Sequence, residues 1–183
     1  IHGNTYKADA LLRQGKGSVR AKASLDLDNM AYMAKLHAND MDIRNFLPQD
    51  SIGMLTLSAE LHGHGTDPLS KATGMEAEVD LKHLEYKEWD VDNARLTALL
   101  KRGKATVEMH CDNDILMANA CANAYIDQED SKADFALSMN KINFQALGLT
   151  EDSLVVSMVL SLDGATDMKQ THRLNGSMHS IEL

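Results

Sequence analysis

The residues of this chain whose types and spacing support chemistry are few. His62-Gly63-His64 puts two imidazoles at i and i+2, with Asp67 close behind. Alternate strand residues share a face, so such a pair can chelate a divalent metal. No cysteine or carboxylate cluster of ligand spacing accompanies it, and a solvated glycine-rich loop is the favoured reading. Glu85, Glu88, Asp90 and Asp92 surround Trp89. Paired carboxylates beside an aromatic suit a sugar-binding or glycosidase site, but the polar face and turn of a hairpin are the favoured reading.

Two glycine–lysine segments, Gly15-Lys16-Gly17-Ser18 and Gly103-Lys104-Ala105-Thr106, look like the end of a phosphate-binding loop. That loop needs a glycine five residues earlier. Ala10 and Ala98 stand there, and no helix follows, so both read as hairpin turns. There is no Gly-x-Ser-x-Gly nucleophile elbow. No catalytic residue, metal or cofactor is expected, and the chain reads as a non-enzyme. Cys111 and Cys121 flank the turn signal Asp112-Asn113-Asp114 on successive strands without facing each other, which argues against a disulfide.

The elements that would position these groups are strands. Leu55, Leu57, Ala59 and Leu61 fall on one parity and Thr56, Ser58 and Glu60 on the other; Leu154, Val156, Met158, Leu160 and Leu162 repeat the pattern. Met75, Ala77, Val79 and Leu81, then Ala94, Leu96, Ala98 and Leu100, do so again. Such alternation means sheets with one apolar and one wet face. Strands are expected at 5–13, 17–28, 31–43, 53–63, 74–86, 91–101, 104–111, 115–127, 132–143, 153–163 and 171–182. Turn signals separate them at Gln14-Gly15, Asp28-Asn29, Arg102-Gly103, Asp112–Asp114 and Asp163-Gly164. Arg44–Asp50 and Gln145–Asp152 have room for a helical turn.

The alternation predicts that Leu55, Leu57, Leu61, Leu96, Leu100, Leu137, Met139, Val156, Met158 and Leu160 line one apolar interior. Two arrangements satisfy it. A half-open groove offers the apolar face to a ligand, whereas a dry sandwich closes two such faces on each other; the groove is preferred. The lining would be built from Leu, Ala, Val and Met, since the chain has 11 Met but only 3 Phe and 1 Trp.

At 183 residues the chain has the length of one all-β domain, and its formal net charge is −9. That charge argues against nucleic acid and against simple attraction to an anionic membrane surface. No run approaches the roughly 18 apolar residues of a bilayer span. The first residue is Ile1, and the expectation is a piece of a longer protein. Ala10–Lys16 matches Ala98–Lys104 at an offset of 88, and Asn39–Ile43 resembles Asn140–Phe144 at an offset of 101. The chain 1–183 is therefore read as a single all-β fragment of a repeat protein, with two degenerate strand-group repeats over about 1–90 and 91–183 and Asp114–Ile126 as a candidate insertion.

The block from Leu57 to Ile126 resembles the C-terminal region of the TamB family, within the AsmA-like superfamily, in its Bacteroides-type versions. Leu57-Ser58-Ala59-Glu60-Leu61-His62-Gly63-His64-Gly65-Thr66-Asp67 and the stretch from Leu84 to Leu100 carry the resemblance. Gly103-Lys104-Ala105, the Asp112–Asp114 turn and Asn143–Leu149 extend it over most of the chain. The resemblance implies a long, curved, mainly antiparallel sheet folded like a taco, a β-groove with an apolar interior and few or no helices. It implies a periplasmic segment, anchored to the inner membrane through a part absent from this piece and reaching the outer membrane. The implied partners are phospholipid acyl chains, an outer-membrane barrel of TamA type and neighbouring β repeats of the same chain. The implied function is phospholipid transfer in outer-membrane biogenesis, with no catalytic residues. A chaperone-like module for outer-membrane protein assembly or secretion, acting through sheet-edge pairing, and a carbohydrate-binding β-sandwich using Trp89 are the alternatives.

Overall fold

A computed structural model gives the architecture. It describes residues 4–46, 52–87, 89–113, 115–127, 131–145, 150–152, 154–167 and 172–182. Eleven strands form one sheet: β1 (Thr5–Gln14), β2 (Gly17–Asp26), β3 (Ala31–Asp42), β4 (Ile52–His64), β5 (Gly74–Tyr86), β6 (Trp89–Lys101), β7 (Lys104–Asp112), β8 (Leu116–Tyr125), β9 (Ser131–Asn143), β10 (Val155–Thr166) and β11 (His172–Glu182). Each pairs antiparallel with its sequence neighbours, and the order in the sheet is the order in the chain. The sheet is not closed. Beyond neighbouring strands, packing of any extent among the described residues joins only β4 and a 3-10 turn at Ile43–Asn45. No described helix is long and apolar enough to cross a membrane.

The alternation explains why this is one curved sheet. Directly opposed residues in an antiparallel ladder share a face. Following the register from β1 to β11 gives the row Ala10, Ala21, Leu36, Ala59, Val79, Leu96, Met109, Ala120, Leu137, Leu160 and Met178. Apolar residues thus meet apolar residues across the full width. On the other face the row from Asp9 runs through Lys22, Lys35, Glu60, Glu78, Thr97 and Glu108. Salt bridges Lys35–Glu60 and Arg95–Glu78 lie on this wet face; as exposed pairs they add little. A two-layer sandwich is absent among the described residues, because all the strands belong to one sheet.

A line of irregularities crosses the sheet near one end of the strands. Extra residues fall between Ala38 and Met41 in β3, between Ile52 and Leu55 in β4, at Lys82 in β5 and between Met139 and Ile142 in β9. Asp40 and Asn93 are left-handed, with φ of 45° and 51°. Bulges bend a strand and add twist. The most buried apolar side chains, Ala38, Met41, Cys111 and Ala118, cluster along this line, so the bend is where the sheet covers its own apolar face. The bulge in β3 is held by Thr56 Oγ1, which accepts the Asp40 N–H at 3.0 Å.

Turn chemistry fixes most connections. Arg102 and Gly103 both have positive φ, 53° and 75°, the requirement of a two-residue hairpin turn that matches strand twist. Replacing Gly103 with Ala would put a Cβ 2.7 Å from the Ile126 carbonyl oxygen. We expect Gly103→Ala to cost about 1–2 kcal/mol, read from the midpoint of urea unfolding; an unchanged midpoint would contradict this. Asn113 organises the β7–β8 turn: its Oδ1 accepts the N–H groups of Ile115 and Leu116, and its Nδ2 donates to the Asp92 carbonyl.

The Asp28-Asn29 turn stands, and two other expected turns do not. Gln14 pairs with Gly17, so the first turn is Gly15-Lys16 rather than Gln14-Gly15. At Asp28-Asn29 the chain leaves β2 two residues sooner than expected, because Asp26 accepts the Asp28 N–H and Asn29 accepts the Ala31 N–H. Asp163-Gly164 is no turn at all. Both residues lie inside β10, paired with Asp134 and Ala133 on one side and Asn175 and Leu174 on the other. The Asp163 carboxylate points to the wet face and accepts from Asn175 Nδ2 at 2.7 Å.

The repeated segments occupy like places. Ala10–Lys16 and Ala98–Lys104 both enter hairpins, with the turn displaced by one residue between them. Asn39–Ile43 and Asn140–Phe144 both span bulges. Of the two possible helical turns, Ile43–Asn45 is a 3-10 turn capped by Asp42, which accepts the Arg44 N–H. The rest of Arg44–Asp50 beyond Phe46, and residues 146–149 of Gln145–Asp152, lie outside the described residues, as do Glu88 and Asp114.

Candidate functional site: an open apolar trough

Three further rows flank the one through Leu96. The first runs Ala8, Ala23, Ala34, Leu61, Ala77, Ala98, Val107, Ala122, Phe135, Leu162, Gly176. The second runs Leu12, Val19, Ala38, Leu57, Leu81, Ala94, Cys111, Ala118, Met139, Met158, Ser180. The third runs Tyr6, Leu25, Tyr32, Gly63, Met75, Leu100, Ala105, Ala124, Ala133, Gly164, Leu174. Across these rows the serine at 180 is the sole residue that is neither apolar, glycine nor tyrosine.

All ten residues expected to line the interior lie on this face. Leu96, Leu137 and Leu160 share the central row; Leu57, Met139 and Met158 share another; Leu61 and Leu100 occupy the remaining two. Leu55 and Val156 continue the face just past the bulges, opposite Leu84 and Ile142. Each is half-buried. The sheet therefore gathers them without covering them. The other strands supply mostly alanine, a residue type expected in the lining, at positions that the ten expected residues did not include. Small side chains leave room: one depression of about 370 Å³ is walled by Ala8, Ala10, Ala21, Ala34 and Ala59. A second, of about 320 Å³, is walled by Val107, Ala122, Phe135 and Leu162. Toward both sheet edges the face is barer still, with Tyr6 and Met178 each 64 % exposed and Leu174 75 %.

The other candidate groups sort by face. Cys111 sits on the apolar face opposite Ala94 and Ala118, whereas Cys121 faces Glu108 on the wet side. Both are free thiols. Burial pushes the Cys111 thiol up, which keeps it protonated and unreactive. His62 and His64 do share a face, but His62 Nε2 lies 3.1 Å from Glu76 Oε2, and the His64 ring packs where a side chain at Gly74 would go.

Trp89 packs on Tyr86, ring centroids 6.1 Å apart, beyond the Leu84–Val91 pair on the apolar side. Asp90 and Asp92 alternate to the wet side with His83 and Glu85. The aromatic and the carboxylates thus point to opposite faces, and no sugar platform flanked by acids is assembled from Glu85, Trp89, Asp90 and Asp92. Sequence reading missed His83, two positions before Glu85 and directly opposite Asp92.

The hydrogen bond that Asp92 Oδ1 accepts from His83 Nδ1, 2.7 Å, holds the imidazole pKa above its ordinary value, with the surrounding carboxylates adding to it. A histidine raised on folding stabilises the fold fully below its unfolded pKa, about 6.5, and that contribution is lost as pH rises through the folded value. The side chains are 36 % and 43 % exposed, so the effect is below about 1 kcal/mol. Thermal melting at pH 6 and pH 9 should show a larger loss at high pH for the parent than for Asp92→Asn. Equal losses would remove the pair as a contributor.

Comparison with protein-family models, with curated proteins and with solved structures finds no match.

Proposed function

We propose that this sheet is a conduit segment whose apolar face receives phospholipid acyl chains, in the manner of a periplasmic TamB-like groove working between the inner and outer membranes. The observation that supports it most is the set of four largely apolar rows that cross all eleven strands on one face, a face that no second layer of the described residues covers. An exposed apolar surface of that extent calls for a partner. Each methylene taken from water contributes about 0.8 kcal/mol, so an acyl chain is held without polar recognition, and rows without polar interruption let it slide. Headgroups would stay in water beyond the strand ends. A barrel partner of TamA type and neighbouring β repeats belong to the same reading.

The test is photo-crosslinking of the purified chain to a diazirine-bearing phospholipid in mixed micelles. Crosslinks are expected on Leu57, Leu96, Leu137 and Leu160 and not on Thr97 or Glu108. Labelling spread equally over both faces would overturn the proposal.

Sheet-edge pairing with a client strand is the second reading. It is favoured by β1, exposed over Thr5–Arg13, and β11, exposed over His172–Ser180. Open edges pair readily with an added strand. Fast amide exchange in β1 and β11, slowed on adding an extended peptide, would support it.

A further inference from the structure

The wet face carries a group of side chains that the trough does not use. His83 and Asp92 oppose each other across β5 and β6, and Glu85 and Asp90 form the next pair toward the hairpin end. One donor atom each from His83, Glu85 and Asp90 lie within 4.8 Å of one another.

Groups outside this triad already aim two of its members. Asp92 Oδ1 engages His83 Nδ1 at 2.7 Å, which leaves Nε2 as the open ring nitrogen. A carboxylate behind a histidine is the arrangement that orients metal-bound imidazoles. Glu85 Oε2 accepts the Met54 N–H at 3.0 Å and faces Arg44 at 3.5 Å, which leaves Oε1 open. The Glu85 carboxylate also needs the absence of a side chain at residue 53: a Cβ on Gly53 would lie 2.2 Å from Oε2. The bulge at Ile52/Leu55 and its glycine therefore make the cradle for this carboxylate.

One imidazole and two carboxylates on two paired strands are a donor set for a borderline divalent ion. Three carboxylates converge there, and Arg44, shared with Asp42, pairs with Glu85 alone among them.

We propose that His83, Glu85 and Asp90 bind Zn²⁺, with Asp92 as the positioning residue for His83 and water completing the coordination. The site is on the face opposite the trough, so it stands or falls independently of lipid binding. Zinc here would tie β5 to β6 next to the bulged start of β4.

The chain contains a single tryptophan, and Trp89 is the residue before Asp90, which gives the test a local probe. The full 183-residue chain, stripped with chelator, is titrated with Zn²⁺ by calorimetry and with Cu²⁺ by tryptophan quenching. One Zn²⁺ per chain is expected, with matching saturation of the quenching. His83→Asn should weaken binding at least tenfold, and Asp92→Asn about tenfold or more. Asp90→Asn changes an exposed side chain, leaves the fold intact and should also weaken binding at least tenfold. His62→Asn, which removes the other histidine–glutamate pair, should leave it unchanged. Affinity within twofold of the parent in both His83→Asn and Asp90→Asn overturns the proposal, as does loss of the site in His62→Asn or no saturable Zn²⁺ binding in the parent.

Discussion

Met41→Ala is expected to lower the free energy of unfolding by about 2–4 kcal/mol, a larger loss than truncation of any leucine in the trough. Met41 is 1 % exposed and is the one large side chain fully buried among the described residues. In a one-layer sheet most apolar groups keep one side open to water, so their truncation forfeits only part of a transfer free energy. Met41 sits on the bulge of β3 opposite Leu55, where Gly17 brings the β2 backbone against the Asp40 carbonyl. Truncating so fully buried a side chain leaves a cavity as well as forfeiting the transfer free energy. Leu96→Ala, on a half-buried position, should cost about half as much or less. Urea titration followed by far-ultraviolet circular dichroism measures both. If Met41→Ala costs under about 1 kcal/mol, or less than Leu96→Ala, the bend is not where stability concentrates.

The sequence made the fold readable because side-chain period two is a strong signal when it is repeated eleven times. Leu55–Leu61 and Ala94–Leu100 alternate without interruption, and the structure keeps both segments on the expected face. The failures are local. Asp163-Gly164 has turn-forming residue types, yet ladder partners on both sides hold it extended; propensity yielded to the register of neighbours, which a single strand does not reveal. The bulges escaped notice for a related reason. An extra residue such as Lys82 in β5 changes parity only relative to a partner strand, so Leu81 and Leu84 face the same way although their spacing is odd. Toward the hairpin end ordinary alternation separates Trp89 from the carboxylates read as its companions. The register puts His83 beside them instead.

Leu96→Asp and Thr97→Asp form the sharpest comparison for the trough. The two residues are adjacent in β6 and lie on opposite faces: Leu96 is flanked by Val79 and Met109, Thr97 by Glu78 and Glu108. Both are half-buried, so water still reaches a carboxylate at either position and both variants should stay folded. At residue 96 the new charge interrupts the central row midway across the sheet. An acyl chain lying over it must either desolvate the carboxylate, at a cost of several kcal/mol, or abandon the methylenes on that stretch, at about 0.8 kcal/mol each. Either route weakens acyl-chain capture by an expected tenfold or more, since about 1.4 kcal/mol is already a factor of ten. At residue 97 the charge joins an acidic wet face and should change capture less than twofold. Displacement of a fluorescent fatty-acid analogue from the purified chain gives both numbers. Equal loss in the two variants would trace the effect to net charge or to folding. No loss in Leu96→Asp would mean that the acyl chain, if bound, does not lie along the central row.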